Sequence, residues 1–267
     1  MLDDLRDEQV ALDEVVAPLR EEHWRLETPS PGWTIAHQVA HLAYFDDAAA
    51  VAMRDPEDFA RSRDELVAAA MSDPSAMDRI TLGERLGMGP ADLLGDWRAA
   101  RSHLLEAAGS LDDDRRIEWY GPSMSQRSFL TARLMETWAH GLDVLDALDA
   151  AGVGHVQRTG SERLRHVAHL GVVTRGWSYA VRGREAPGAA VRVELLSPTG
   201  GTWSWGPDDA ADLIEGPAWD FCAVVTQRRH PGDTDLRITG DDAAEWMSLA
   251  QAFAGGPSEG PPPRRHR

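Results

Sequence analysis

Two residue types are missing altogether from these 267 residues: there is no lysine and no asparagine. All 27 basic side chains other than histidine are therefore arginine, set against 44 acidic ones, and the formal net charge is −17. A field of that sign repels nucleic acid and anionic membrane surfaces, so neither is expected as a partner. It leaves room for a small anionic substrate in a local basic pocket. Cysteine is nearly absent too. The single one, Cys222, excludes an intramolecular disulfide and any four-cysteine metal site within one chain. In "AWDFCAVV" it reads as a small buried hydrophobe. No apolar run approaches the roughly 20 residues needed to span a bilayer. The start, "MLDDLRDEQVALDEVV", has neither the basic nor the apolar region of a signal peptide, so a cytoplasmic location is expected.

The length suits two domains with a sizeable core. The first two thirds read as helices. Residues 3–26 carry Leu5, Val10, Leu12, Val15, Val16 and Leu19 at mostly helical spacing, and "TPSPGW" then breaks the chain. Thr34 can cap a second helix running to about 54. A third follows Asp55-Pro56 and ends near Met71, a fourth starts at Gly89-Pro90, and a further one covers about 126–150. "SERLRHVAHLGVVTRGWSYAVRG" is also read as helical. The character changes near Ala186: "AVRVELLSPTGGTWSWGP" alternates around a Pro/Gly turn, as a β-hairpin does. A helix ("GPAWDFCAVVTQRR"), a short strand ("TDLRITG") and a last helix ("DDAAEWMSLAQAF") follow. These features predict a helical domain over 1–183, a small α+β domain over 187–255 and a disordered tail over 256–267.

Two four-residue spacings carry the chemistry. Glu136 and His140 lie on one face of the 126–150 helix, with Phe129, Ala132, Asp143 and Ala147. His37 and His41 share a face of the earlier helix with Thr34, Tyr44, Phe45 and Ala48. A polar helix face is normally solvated and fringed by Arg and Glu. These two are lined instead by small and aromatic residues, with Arg133 the one nearby cation. Met inside a bundle, they would gather two imidazoles and a carboxylate, a common catalytic zinc set that also suits iron(II) or nickel. Asp143, one turn past His140, could orient a ligand from behind. Spacing alone leaves both readings open, a metal site or two polar faces.

"PGWTIAHQVAHL" followed by "ARLMETWAHGLDV" resembles the DinB-like metal-binding superfamily, in its mycothiol-dependent maleylpyruvate isomerase branch. The C-terminal stretch from "WSWGPDD" to "LAQAFAG" resembles the small sterol-carrier-like domain of that branch. The resemblance implies a mainly α protein, an up-down four-helix bundle followed by a small α+β domain. It implies one divalent metal, foremost zinc, held by His41, Glu136 and His140. By the same resemblance His37 lines the site rather than ligating; Tyr44, Phe45 and Asp143, from the two helix faces, are candidates for contact with a cofactor. Arg228, Arg229 and His230, in "QRRHPGDTD", are candidates for substrate contact, with favourable charge at a helix C-terminus as the plainer account. Arg98, Arg101 and His103 are weaker candidates, and His166 and His169 read as structural. Mycothiol, a low-molecular-weight thiol, is the implied cosubstrate, and the missing Lys and Asn agree with a GC-rich actinobacterial source in which it is the available thiol.

The expected function is a metal-dependent enzyme that uses mycothiol as cosubstrate or nucleophile. It would be a transferase or isomerase acting on a small electrophilic or unsaturated acid, working as a monomer or homodimer. Two alternatives stand beside it: a hydrolase or lyase using metal-activated water without a thiol, and a non-catalytic metal-binding module. Three ligands with open positions favour catalysis, since a structural zinc site wants four protein ligands.

Overall fold

Proline and short polar side chains cut the N-terminal half into helices where their backbone preferences require it. The computed structural model describes residues 1–73, 75–112, 114–153 and 160–264. Helix α1 (Leu2–Val16) is followed by a 3-10 turn at Glu21–Arg25 and then by α2 (Ile35–Arg54). Thr34 caps α2, and Asp55 caps α3 (Pro56–Ser72) by accepting from the Asp58 amide, with Pro56 at the first helical position. Helix α4 (Ala76–Leu86) precedes α5 (Pro90–Gly109), which again opens on a proline. A two-residue ladder, β1 (Arg116–Ile117) with β2 (Met124–Ser125), leads into α6 (Gln126–Ala150), where the Ser125 hydroxyl accepts from the Ser128 amide.

Helices α1, α2, α5 and α6 form the expected four-helix bundle, and α3 and α4 pack against α2. Its core joins Leu12 and Val16 of α1, Ile35, Val39 and Leu42 of α2, Leu93 and Trp97 of α5, and Val144 and Leu148 of α6. Each fully buried aliphatic side chain here contributes about 1.5–3 kcal/mol. Helix α6 is the innermost: Phe129, Leu134, Trp138, His140, Asp143, Ala147 and Leu148 are all buried, so its polar face is interior too.

One polar cluster crosses this core. The Asp46 carboxylate, fully buried on α2, accepts from Arg133 of α6 at 2.8 and 3.1 Å, from Trp97 of α5 at 3.2 Å and from Gln9 of α1 at 3.3 Å. Each bundle helix supplies one member. Burial pushes the Asp46 carboxyl up against the pull of the Arg133 guanidinium. Nearer the surface, Asp13 of α1 receives Arg98 bidentately at 2.6 and 2.8 Å and also Arg101, both from α5.

The chain divides into two compact units, Met1–Gln157 and Arg158–Arg267. The second holds α7 (Leu164–Val173), α8 (Arg175–Ala180), β3 (Val191–Leu196), β4 (Thr202–Trp205), β5 (Asp212–Pro217), α9 (Ala218–Val225), β6 (Arg237–Thr239) and α10 (Asp241–Leu249). Its sheet has the order β4-β3-β5-β6, parallel between β3 and β5 and antiparallel elsewhere. Val191, Val193 and Leu195 point inward from β3 in strict alternation.

The sequence reading set the division near 183–189; here it falls at 157/158, because α7 packs on α9. A Cβ at Gly171 of α7 would lie 2.8 Å from Val225 Cγ2, so glycine lets the two helices close. Helical periodicity showed that 161–183 is helical but could not show its partner. Helix α4, the β1–β2 ladder and strand β5 were not anticipated. Over the described residues the tail is tied down rather than loose: Gln227 Nε2 donates to the Ser258 carbonyl at 3.0 Å, and the Ser258 hydroxyl donates to Gln227 Oε1 at 2.5 Å.

Two outcomes are expected for stability. Replacing Arg133 by Met leaves the Asp46 charge buried without its counter-ion and should cost about 3–5 kcal/mol in urea unfolding. The Asp46→Leu, Arg133→Met pair should recover only part of that, because Trp97 and Gln9 then lose their acceptor. Asp13 is held below its ordinary value of 3.8 first by the Arg98 hydrogen bond, against burial, and then by the Arg101 charge. A depressed carboxyl stabilises the fold above its unfolded pKa. The advantage of the natural protein over Asp13→Asn should therefore be steady near neutrality and fade as pH falls below about 3.8.

Candidate metal centre

Three side chains from two bundle helices converge on one place. The Nε2 atom of His41 on α2 lies 3.9 Å from Glu136 Oε2, and His140 Nε2 lies 3.1 Å from the same oxygen, both residues of the second pair being on α6. The two imidazole rings are 4.4 Å apart. One donor atom of each residue lies within 4.8 Å of the others, and among the described residues this is the only such group of histidine, cysteine and acidic side chains. The donor atoms of a tetrahedral zinc site with bonds of about 2.0–2.1 Å lie about 3.3 Å apart, and the observed pairs straddle that separation.

The hydrogen-bonding chain behind His140 fixes which of its nitrogens faces the carboxylate. Residues 28–33 form a turn in which the Thr28 amide donates to the Trp33 carbonyl at 2.8 Å and the Trp33 amide to the Ser30 carbonyl at 3.0 Å. Gly32 supplies the positive φ, 78°, that this turn needs. The Thr28 hydroxyl also donates to the Trp33 carbonyl, at 2.9 Å, so its oxygen is left to accept from Gln38 Nε2, at 2.9 Å. That turns Gln38 Oε1 toward His140 Nδ1, 2.5 Å away, and Nδ1 must carry the proton. The Nε2 lone pair of His140 then faces a carboxylate oxygen. Two acceptors at 3.1 Å repel unless a cation lies between them, either a proton on Nε2 or a metal ion. The donor set and its backing therefore fit a divalent metal. Burial on its own would raise the Glu136 carboxyl; with the bridging protons on His140 and His41, their hydrogen bonds and charges outweigh it and hold it well below the usual carboxylate range.

Aromatic rings wall the centre. The Trp33 indole lies 5.3 Å from the His41 ring and stacks at 6.1 Å on His140. Phe45 lies 4.5 Å from His41 on the other side, and Tyr44 meets Phe45 edge-on at 5.1 Å. The loop between β1 and β2 adds Trp119, stacked on Phe59 at 5.3 Å, and Tyr120, 5.6 Å from Phe45. Burial, and then contact with Tyr44, pushes the Tyr120 phenol up. Trp33, Gln38, Trp119 and Tyr120 were not singled out from sequence. The available signals were a lone uncharged polar residue three before His41, and paired aromatics ahead of a Gly-Pro turn in "EWYGPS".

The remaining candidates fall as follows. His37 stands outside the three-residue cluster: its Nδ1 accepts from the Thr34 amide at 3.2 Å as part of the α2 capping box. Asp143 accepts from the Ser30 hydroxyl at 3.1 Å, which anchors the 28–33 turn to α6, while the acceptor on His140 Nδ1 is Gln38. Arg98 and Arg101 are paired with Asp13, and His103 Nδ1 lies 3.6 Å from Asp47. Arg228, Arg229 and His230 follow α9 in the second unit. There the Arg229 guanidinium lies over the Trp219 ring at 5.4 Å, and His230 Nδ1 accepts from the Gly232 amide at 3.0 Å. No helix among the described residues is long and apolar enough to cross a membrane.

Residues 5–145, more than half of the chain, match the mycothiol maleylpyruvate isomerase N-terminal domain. The chain belongs to that family. Residues 187–239, in the second unit, match a family described as wyosine base formation. Two uncharacterized proteins of Mycobacterium tuberculosis, from strains CDC 1551 / Oshkosh and H37Rv, are each 47% identical over 257 residues, covering 96% of both chains. The crystal structure of the mycothiol-dependent maleylpyruvate isomerase superposes with a TM-score of 0.54 at 15% identity, over 85% of this chain and 88% of that one. A histidine-to-alanine mutant of it gives 0.53 over the same shares. At that identity the likeness is one of fold.

If Gln38 sets the His140 tautomer, Gln38→Leu should weaken zinc binding about 10–100-fold in a chelator competition while the helical circular dichroism is retained. Gln38→Glu, which keeps an acceptor at that place, should restore most of the affinity. Equal zinc affinity in all three proteins would remove Gln38 from the centre.

Proposed function

We propose that this protein is a divalent-metal-dependent enzyme that uses mycothiol as cosubstrate or nucleophile, in a transferase or isomerase reaction on a small electrophilic or unsaturated acid. The observation that carries the reading is the enforced meeting of the His140 Nε2 lone pair with the Glu136 carboxylate, beside His41. Family membership supplies the thiol. His41, Glu136 and His140 would hold the metal, foremost zinc, with iron(II) or nickel also suited to two imidazoles and a carboxylate. When bound, the ion would lower the pKa of a thiol brought to its open position and polarise an oxygen of the substrate.

The chain's own residues do the rest. Gln38 keeps the proton of His140 on Nδ1, so Nε2 stays available as a donor. Trp33 and Phe45 flank His41 and limit water at the reacting end. Asp143 holds the turn that carries Trp33. Arg228, Arg229 and His230 are retained as candidates for contact with an acidic substrate, to be tested by their effect on KM. The protein supplies no thiol of its own that could serve: Cys222 is fully buried and burial pushes its thiol well up, away from thiolate formation.

The test is mycothiol consumption by zinc-loaded protein across a panel of electrophiles, together with isomerisation of unsaturated acids at catalytic mycothiol. Glu136→Ala should lose zinc and turnover together, and Cys222→Ser should keep both. Turnover at full rate without any thiol would transfer the assignment to a metal-water hydrolase or lyase. Loss of activity in Cys222→Ser with zinc still bound would make the nucleophile internal.

A further inference from the structure

A second concave feature lies beside the centre and has no part in holding the metal. Between the turn at Pro31–Trp33 and helix α4 is an open cleft of about 300 Å³, lined by Trp33, His37, Asp78, Arg79, Gly83 and Leu86. That is the lower end of the size range for small-molecule sites. Trp33 belongs to both places: its indole lies 5.3 Å from the His41 ring and 6.2 Å from the His37 ring.

The lining specifies a kind of ligand. His37 Nδ1 is occupied as an acceptor for the Thr34 amide, so in the neutral ring the proton sits on Nε2, and no described residue is hydrogen-bonded to that nitrogen. Asp78 lies close enough to His37 to pull its pKa upward, although burial, the larger effect, lowers it. Arg79 is held at the rim by Asp73 at 3.1 Å and Ser75 at 3.3 Å through one terminal nitrogen. The cleft therefore offers a carboxylate acceptor, an imidazole and a guanidinium donor, a flat aromatic wall and an apolar floor at Leu82 and Leu86. With one acidic and one basic side chain it selects neither anion nor cation. Adjacent donors and acceptors against an aromatic plane suit an uncharged ring that bears several hydroxyls.

We infer that this cleft is the seat for the hydroxyl-rich body of the small-molecule thiol, with Trp33 as the platform and Asp78, Arg79 and His37 as its hydrogen-bonding partners. The inference rests on the thiol reading above for the identity of the ligand, but the cleft's preference for a polyhydroxylated ring stands on its own lining. Mycothiol fits the chemistry, being a cysteine derivative carried on a sugar–inositol pair. The sulfur end would be the part that leaves the cleft along Trp33.

Two variants separate this from a structural effect. Gly83 is an exposed helical position, and a Cβ there would meet only Arg79 Cγ at 3.9 Å, so Gly83→Trp fills the cleft from its rim. Asp78→Asn keeps the shape and removes the carboxylate. The probes are mycothiol, N-acetylcysteine (a thiol without the body) and N-acetylglucosaminyl-inositol (the body without the thiol, its nitrogen acylated and uncharged as in mycothiol). Calorimetric binding of N-acetylglucosaminyl-inositol to the metal-free protein should be measurable in the natural protein and at least tenfold weaker in both variants. The ratio of kcat/KM for mycothiol to that for N-acetylcysteine should fall at least tenfold in both. Failure of N-acetylglucosaminyl-inositol to bind, or equal binding by all three proteins, overturns the inference, even if N-acetylcysteine and mycothiol are both turned over. Binding that the variants weaken, with no thiol consumed by any of the proteins, upholds the cleft and removes the thiol reading instead.

Discussion

A single backbone carbonyl, that of Trp33, determines the chemistry of the centre. A carbonyl can only accept, so the Thr28 hydroxyl must donate to it; Thr28 can then only accept from the Gln38 amide; and Gln38 can only present its oxygen to His140. The polarity of each link forces the next, and the last one strips the proton from the nitrogen that faces Glu136. An imidazole free to choose its tautomer would donate to the carboxylate and close the gap as an ordinary hydrogen bond. Here that choice is open only to an imidazole that takes a second proton, and a metal ion competes with that proton for the same place. The turn that carries the carbonyl is built from the residues that break the chain between α1 and α2. A segment that looks like punctuation in the sequence thus works as the anchor of a ligand.

The relay needs α2 and α6 to keep their register, because Gln38 and His41 ride on one and Glu136 and His140 on the other. The buried Asp46–Arg133 pair does this from within the core, five residues past His41 and three before Glu136. Ion pairs of this depth stabilise little in net terms, since desolvation offsets most of the attraction. Their value is directional. A slip of one helix past the other would leave a guanidinium or a carboxylate buried without its counter-charge, at a cost an apolar core would not impose. Trp97 and Gln9 extend the same constraint to the two remaining helices.

Much of this was legible in the sequence, and the parts that were not share a cause. Capping residues and prolines marked α2, α3 and α5 because those signals act within a turn or two of the chain. The i, i+4 spacings of His37–His41 and Glu136–His140 identified two faces, but spacing cannot say whether two faces meet; that depends on packing between helices about a hundred residues apart. The family resemblance named His41 over His37, and the structure gathers His41 with Glu136 and His140 while His37 closes its own helix cap. Strand β5 escaped notice because "DLIEGP" is a short run beside turn residues, and its identity comes from the strands on either side. Gln38 escaped because an amide carries no charge signature. Its role appears only when Thr28, Trp33 and His140 are seen around it.

In the proposed reading, the residues that would activate a thiol and the chain's own thiol belong to different units. The bundle gathers two imidazoles and a carboxylate into a partly open site, with side-chain exposures of 19% for His41, 23% for Glu136 and 9% for His140. The chain's one thiol is Cys222, fully buried in the other unit, where its Sγ lies 3.5 Å from the Leu164 carbonyl. A thiol in that setting resists ionisation, because burial disfavours the thiolate and no cation compensates. Under the proposed thiol chemistry, a chain whose only cysteine is buried where ionisation is disfavoured would take its nucleophile from solution. An external nucleophile must be held as well as activated, since orientation rather than acidity alone sets the rate of its attack. Three ligating side chains can fix one atom of such a molecule and no more. The remainder needs surface of its own, and in this unit Trp33 is the residue that borders both the ligating triad and a cleft beside it.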